Sequence, residues 1–412
     1  MQILVSLLGM ATLLGVAVML SKNRKRIRLR TVFGAFVFQV AIGAFVLWVP
    51  WGKDFLGWIT GRVNAVIDVG KQGTGFVFGG LAESSGTLGF VFAFQVLPAI
   101  IFFSSLIAVL YHLGVMGFVI RILGGAIQML LGTSRAESFS AAANIFVGQT
   151  EAPLVVRPYI AKMTKSELFA VMVGGLASVA GSILVGYVEL GREAGGVIEL
   201  KYLLAACFMA APGGLLFAKL IIPETDKPDN RVMKFEEGED PENVLDAAAM
   251  GASSGMKLAL NVGAMLLAFI GLIAVVNLAL SSAGGWFGHE ELSLELILGW
   301  VFAPLAWLIG IPWAEAMTGG SFIGKKLIVN EFVAYGDFVG VAEDLSERTR
   351  AIVTFALCGF ANLSSIAILI GGLGSMAPSR RKDIARLGLL AVAAATLSNL
   401  MSATIAGLFL GL

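Results

Sequence analysis

The chain has 412 residues, of which 57% are hydrophobic and only 14% are charged, with 51 glycines. Soluble proteins carry about a quarter charged residues, so the composition excludes a soluble domain and predicts an all-α, polytopic membrane protein. A net charge of +1 offers no basis for nucleic-acid binding, and two isolated histidines with two cysteines in apolar segments argue against a metal, disulfide or histidine-based catalytic constellation.

Residues 3–20 are continuously apolar, and six basic residues follow between Lys22 and Arg30. Positive charge after an apolar run retains the segment as a first crossing, with its N-terminus outside and the basic loop in the cytoplasm. Residues 32–49 return outward and stop at Trp48, Pro50 and Trp51. Residues 53–90 are glycine-rich and only moderately apolar, which predicts interfacial helices and loops. A third crossing is expected over 92–113, followed by an amphipathic interfacial helix that leads to residue 138.

The next apolar run is interrupted at 148–153 by GQTEAP, an amide, a hydroxyl and a carboxylate closed by Pro153. Nine residues, 139–147, precede the interruption, whereas a bilayer core of about 30 Å needs about 20 helical residues. Continuing straight through would bury Glu151 and Arg157 at about 2.5–3.5 kcal/mol per charge. A re-entrant hairpin, with one short helix in, a polar tip and a second helix out over 155–161, avoids that cost. Broken backbone of this kind survives only inside protein or along a cavity.

Crossings four and five are expected over 168–188 and 202–222, and a charged loop over 223–245 is expected to be cytoplasmic. The sixth spans 257–280. Residues 292–311 contain Pro304 and read as an outer interfacial helix. A second broken segment, 322–338, is centred on NEFVAY (330–335); crossings seven and eight follow over 351–373 and 387–410. Four basic residues between Arg380 and Arg386 share the cytoplasmic side with the first basic loop, which leaves the C-terminus outside.

The second broken segment repeats the first. ILG at 122–124 and GTSRAES at 132–138 parallel ILG at 297–299 and GIPWAEA at 310–316; GLASVAGSI from Gly175 parallels GFANLSSI from Gly359. Three crossings separate the copies, so the second is inverted. Inverted repeats with broken helices that meet near the midplane are a signature of secondary transporters.

Glu151 and Glu331 are the acidic residues of the two tips, and either caps a helix or binds a solute. Gln149, Thr150 and Asn330 lie at the same depth. Asn362 and Ser365, three apart, are expected on one helical face beside Phe360, where they either pack helices or bind. Amides, carboxylates and hydroxyls with one aromatic ring suit a neutral, polyhydroxylated, ring-bearing substrate; neither tip holds a basic residue for an anion. Asn144 and Ser178 offer oxygens beside backbone that must unwind, a setting in which sodium binds, although spacing alone leaves sodium and proton coupling both open. An intramembrane hydrolase lacks a nucleophile with its base, and paired polar tips argue against a passive channel.

These motifs, ANIFVGQTEAP (143–153), GGLASVAGS (174–182), VNEFVAY (329–335) and CGFANLSSIAIL (358–369), resemble the concentrative nucleoside transporter family, and closely its bacterial sodium-coupled members. The resemblance runs nearly the full length. It implies an importer in the inner membrane that works by alternating access, as a homotrimer whose protomers each move a transport domain against a shared scaffold. Divided accordingly, residues 1–52 hold two N-terminal crossings, 53–133 and 223–312 belong to the scaffold, and 134–222 and 313–412 carry the hairpins and the transport part. It further implies that Gln149, Thr150 and Glu151 meet the nucleobase, while Glu331, Asn362 and Ser365 hold the ribose hydroxyls with Phe360 against the rings. Asn144, Ser178 and the carbonyls of Val147 and Val179 would bind sodium. The Gly148–Gln149 pair resembles members that accept pyrimidine and purine nucleosides, such as uridine, cytidine and adenosine. The runner-up is proton coupling through Glu151 or Glu331.

Overall fold

A computed structural model describes residues 2–82, 90–193, 195–229, 241–286 and 288–411. Residues 83–89 of the glycine-rich stretch and 230–240 of the charged loop lie outside the described residues. All regular secondary structure among the described residues is helical.

The basic loop terminates the first helix. Arg24 donates from Nε to Val18 O (2.9 Å) and from Nη2 to Met19 O (3.1 Å), which satisfies the last carbonyls of α1 (Gln2–Met19). Helix α2 (Leu29–Leu47) leads into α3 (Pro50–Phe78), with Pro50 at its first turn. The expected mixture of helices and loops over 53–90 is therefore one 29-residue helix as far as Phe78. Its glycines lower helix propensity, but Leu56 and Ile67 are buried against the rest of the fold, and such packing overrides propensity.

The third crossing is α4 (Phe92–Gln95) with α5 (Leu97–His112), the interfacial helix is α6 (Val115–Leu131), and the first hairpin enters through α7 (Arg135–Ala143). Ser134 caps α7, and Glu137 returns the bond to the Ser134 N–H. This capping box starts the inward helix before residue 139, and the helix ends at Ala143 rather than Val147. The tip is correspondingly longer, 144–151. Pro153 and Pro158 then admit only a 3-10 turn (Ala152–Val156) and α8 (Arg157–Ile160).

The expected fourth crossing is not continuous. It divides into α9 (Lys165–Ala177) and α10 (Gly181–Glu193) at residues 178–180, where Ser178 adopts an extended conformation. Beyond it lie α11 (Leu200–Ile221) and α12 (Val244–Gly285). The latter has 42 residues, well beyond the expected 257–280, because Asn243 accepts from Leu245 N and Asp246 N and starts the helix early.

The second copy comprises α13 (Leu294–Leu308), α14 (Trp313–Ile328), α15 (Glu331–Val341), α16 (Glu347–Leu357), α17 (Ser365–Met376) and α18 (Arg381–Phe409). The expected seventh crossing is also divided, at 358–364. Helices α13 and α14 bend by 116° at Gly310, whose φ of +108° favours glycine. Gly132, between α6 and α7, has a φ of +65° at the matching place. One further bond recurs in each copy: Gly181 N donates to Phe146 O (3.0 Å), and Leu363 N donates to Leu327 O (3.1 Å). In both, the resumed crossing is tied to the end of its own hairpin. The expected pairing of Gly175 with Gly359 is shifted, since Gly175 lies inside α9 and Gly359 lies past the end of α16; the second break is four residues longer.

Among the described residues, six helices are long and apolar enough to cross a membrane, or seven if α13 and α14 count as one bent span. Of the eight expected crossings, the first falls short in length and the seventh because of its break. Helices α9, α10 and α11 are almost wholly buried, with α18 close behind, whereas α12 is 6% buried across its most apolar window. The buried set approaches closely through small residues: a Cβ on Gly214 would lie 3.3 Å from Gly174 Cα.

Candidate functional site

Four of the expected substrate residues form one hydrogen-bonded chain through the buried centre. Glu331 begins α15, just after Asn330 caps that helix by accepting from Val333 N (2.9 Å). Its Oε2 accepts from Asn362 Nδ2 at 2.8 Å. Asn362 Oδ1 accepts from Ser365 N (2.9 Å) and Ser364 Oγ (2.7 Å). Ser365 Oγ in turn accepts from Gln149 Nε2 at 3.4 Å. Gln149, Glu331, Asn362 and Ser365 are all buried. The expectation that Asn362 and Ser365 share a helical face is corrected: Asn362 lies in the break, two residues before the N-cap Ser364, and its side chain accepts from the first N–H of α17. They meet because a short polar side chain bonds the backbone N–H three residues on.

The other two residues of the first tip face elsewhere. A Cβ on Gly372 of α17 would lie 3.0 Å from the Thr150 methyl, so Thr150 packs against that helix. Glu151 Oε2 accepts from Gly148 N at 2.6 Å. A side chain at 148 would strike that carboxylate at 2.7 Å and Ala180 at 3.2 Å, so the tip needs glycine for this approach. Glu151 also opens onto a cavity of about 670 Å³ between the first tip, α5 and α12, whose polar walls include Tyr111, His112, Ser182 and Ser254. It does not touch the buried chain.

The expected ion ligands converge where the first tip crosses the first break. Asn144, at the end of α7, is buried with neither Oδ1 nor Nδ2 hydrogen-bonded. A Cβ on Gly174 would lie 3.2 Å from its Nδ2, which places Asn144 one helical turn from Ser178. Ser178 Oγ donates to Gly174 O at 3.0 Å, so its lone pairs remain available. Val147, in the first tip, and Val179, in the first break, are both buried. An orphaned amide oxygen, a hydroxyl and broken-helix carbonyls form an oxygen-donor set that fits a hard monovalent cation. Phe360 joins this corner to the buried hydrogen-bonded chain: its backbone N donates to Ser178 O at 3.2 Å, and its carbonyl accepts from Asn362 N at 2.9 Å.

Sequence reasoning missed three buried polar residues around this centre. Lys326, four residues before Asn330, donates to Ala356 O (2.8 Å) and Asn399 Oδ1 (2.7 Å). The tip therefore does have a buried cation at its base, although its protons are directed into the protein. Asn399 of α18 is the second. Tyr187 of α10 is the third; its hydroxyl lies beside the Glu331 carboxylate without meeting hydrogen-bond geometry. The usable signal was a Lys325–Lys326 pair at the end of an apolar run and a lone amide at Asn399 in an apolar stretch of α18, since polar residues inside membrane helices mark functional positions.

Comparison with known proteins identifies the family. The family profiles for the C-terminus and N-terminus of Na+ dependent nucleoside transporters match residues 202–407 and 8–81, and one described as nucleoside recognition matches 93–193. The chain is 60% identical to an uncharacterized transporter of Haemophilus influenzae, covering all of this chain and 99% of the relative. It is 52% identical to nucleoside permease NupC of Helicobacter pylori, over 99% and 98% of the two chains. Among solved structures, CNTnw in an inward-facing substrate-bound state aligns with a TM-score of 0.95 at 59% identity, covering 100% and 98%. A variant of CNTnw in an outward-facing state aligns at 0.94, over the same shares. These likenesses extend over the hairpins, both breaks and the buried polar chain, and the protein belongs to the concentrative, Na+ dependent nucleoside transporter family.

Proposed function

We propose that this protein imports nucleosides, uridine, cytidine and adenosine among them, together with sodium across the bacterial inner membrane. The observation that carries the reading is the hydrogen-bonded chain from Glu331 through Asn362 and Ser365 to Gln149. It joins the tip of one hairpin to the tip of the other through a broken crossing, so a solute that exchanges into those bonds engages both repeats at once. Glu331 and Asn362 offer a carboxylate and an amide to the vicinal ribose hydroxyls. Gln149 retains an unbonded, buried Oε1 that suits a nucleobase donor. Phe360 flanks the rings, and Thr150 and Glu151 contribute from the first tip.

Sodium is the coupling ion in this reading, held by Asn144, Ser178 and the carbonyls of Val147 and Val179. The Phe360–Ser178 backbone bond lets an ion at one break order the other. One sodium ion moving down about 100 mV supplies roughly 2.3 kcal/mol, on the order of fifty-fold accumulation. Alternating access is supported by relatives solved in inward- and outward-facing states. We assign residues 134–222 and 313–412 to a moving transport part and 53–133 with 223–312 to the scaffold, with both termini outside. Burial supports the division: α9–α11 and α18 pack around the site, while α12 leaves a long apolar face to lipid or to neighbouring copies in a homotrimer.

The test is uptake of labelled uridine into proteoliposomes under a sodium gradient, a proton gradient, or neither. Accumulation with sodium alone is expected. Accumulation driven equally by protons, with sodium replaced by choline, would transfer the coupling to Glu151 or Glu331.

A further inference from the structure

One side chain hydrogen-bonds to the frayed ends of both broken crossings. The amide of Asn399, deep in α18, donates from Nδ2 to Ala177 O at 2.6 Å and to Cys358 O at 3.1 Å. Ala177 is the last residue of α9, immediately before Ser178 and Val179; Cys358 follows the last residue of α16, two before Phe360. Carbonyls at helix ends lack intrahelical donors, and in a bilayer no water supplies them. A single amide, with two N–H groups, satisfies one from each repeat.

The orientation of that amide is set by Lys326. An ammonium can only donate, so its 2.7 Å bond to Asn399 Oδ1 obliges Nδ2 to face the two carbonyls. A second ammonium proton goes to Ala356 O at 2.8 Å, two residues before Cys358 in the last turn of α16. Gly359 makes the space: a Cβ there would come within 2.7 Å of Asn399 Nδ2. Lys326 and Asn399 are both buried, and neither donates a hydrogen bond to the chain of Glu331, Asn362, Ser365 and Gln149, although the Lys326 ammonium lies close enough to the Glu331 carboxylate to attract it. A buried ammonium is costly in a membrane, and hairpin packing alone does not require one.

We propose that Asn399, oriented by Lys326, is the positioning residue that couples the ion corner to the nucleoside site, by holding the first break (178–180) and the second (358–364) at one spacing. This rests on the sodium–nucleoside reading above. An ion that draws Ser178 and Val179 inward shifts Ala177 O, and the shared amide transmits the shift to Cys358 and so to Phe360 and Asn362. Replacing the amide uncouples the two sites while leaving every proposed ligand in place.

The experiment measures uridine Kd by calorimetry in sodium and in choline for the wild type, Asn399→Asp and Lys326→Met, in detergent or nanodiscs. Asn399→Asp keeps the volume but removes both donors; Lys326→Met keeps the amide but releases its orientation. Because Lys326 also attracts the Glu331 carboxylate, Asn399→Asp is the cleaner of the two changes. The sodium-induced tightening seen in the wild type is expected to fall by about tenfold in either variant, within the usual range of coupling between sites. A role in stability alone would lower the yield of folded protein and leave that ratio unchanged; a ratio within twofold of the wild type in a folded variant overturns the proposal. Hydrogen exchange on the wild type is independent of whether the variants fold. Sodium without nucleoside should slow exchange at both breaks, and protection confined to 178–180 overturns the proposal. A wild type whose uridine Kd is indifferent to sodium overturns the sodium reading itself, which separates the two failures.

Discussion

The amide of Asn362 donates to the carboxylate of Glu331 over 2.8 Å, across the gap between the second hairpin tip and the break in the crossing that follows it. Thirty-one positions separate the two residues, and neither lies in the interior of a helix: Glu331 is the first residue of α15, and Asn362 precedes α17. Helix ends expose backbone donors and acceptors that regular helix hides. The centre of this membrane protein is thus assembled from helix ends, which is where a polar solute finds partners in an otherwise apolar interior.

Glu331→Gln should weaken uridine binding far more than 2′,3′-dideoxyuridine binding. A carboxylate accepts charge-assisted bonds from hydroxyls, each worth about 1.5–3 kcal/mol. Calorimetric titration of both ligands checks this, and an equal loss for the two would show that Glu331 does not read the ribose.

Gln149→Ala should re-rank uridine, cytidine and adenosine, because it removes the free Oε1 while leaving the Glu331–Asn362 pair intact. Asn362→Ala should instead lower affinity for all nucleosides by a similar factor. It also removes the acceptor for Ser365 N at the start of α17, at about 0.5–1.5 kcal/mol of stability. A competition panel against labelled uridine, with a thermal melt of each variant, separates the two; the reverse pattern contradicts the division of roles.

Asn144→Ala should raise the sodium concentration for half-maximal uptake about tenfold, the equivalent of roughly 1.4 kcal/mol. The unpaired amide beside Ser178 is the basis for this. Sodium titration of uridine uptake at saturating uridine provides the check, and an unchanged half-saturation removes Asn144 from the ion site.

Lys219→Met should destabilise the fold by about 3–5 kcal/mol, the usual cost of stranding one partner of a buried pair. Lys219 pairs with Glu137 of the first hairpin, donates to Ser166 Oγ at 2.8 Å and lies 3.8 Å from Glu224. It thereby ties α7, α9 and the end of α11 together. Adding Glu137→Gln should restore much of the loss in a thermal melt; no recovery would mean that the pair is not the source.

Much of the architecture could be read from local features because the bilayer enforces local rules. Apolar runs too short to span, interrupted by GQTEAP and NEFVAY, predicted broken segments, and the structure divides its helices at both. Ser134, Thr164 and Ser346, each followed three residues later by a backbone N–H that it accepts from, mark helix starts. Less legible were the breaks inside crossings four and seven. GLASVAGSI and GFANLSSI are apolar enough to continue as helix, and nothing local forbids it.

Those breaks were decided by tertiary structure, through bonds between residues far apart in the chain. Gly181 N finds Phe146 O, Phe360 N finds Ser178 O, and Asn399 supplies donors to Ala177 O and Cys358 O. An interrupted helix is tolerable in a membrane only when its freed groups are paired inside the protein, and no window of sequence reveals where such partners stand. The sequence by itself therefore determined that this is an α-helical membrane protein with two polar interruptions and a recognisable set of site residues. Which of those residues touch, and that Lys326, Asn399 and Tyr187 surround them, followed only from how the two repeats pack. Hydrophobic pattern acts along the chain, whereas satisfying buried polar groups requires partners from across it.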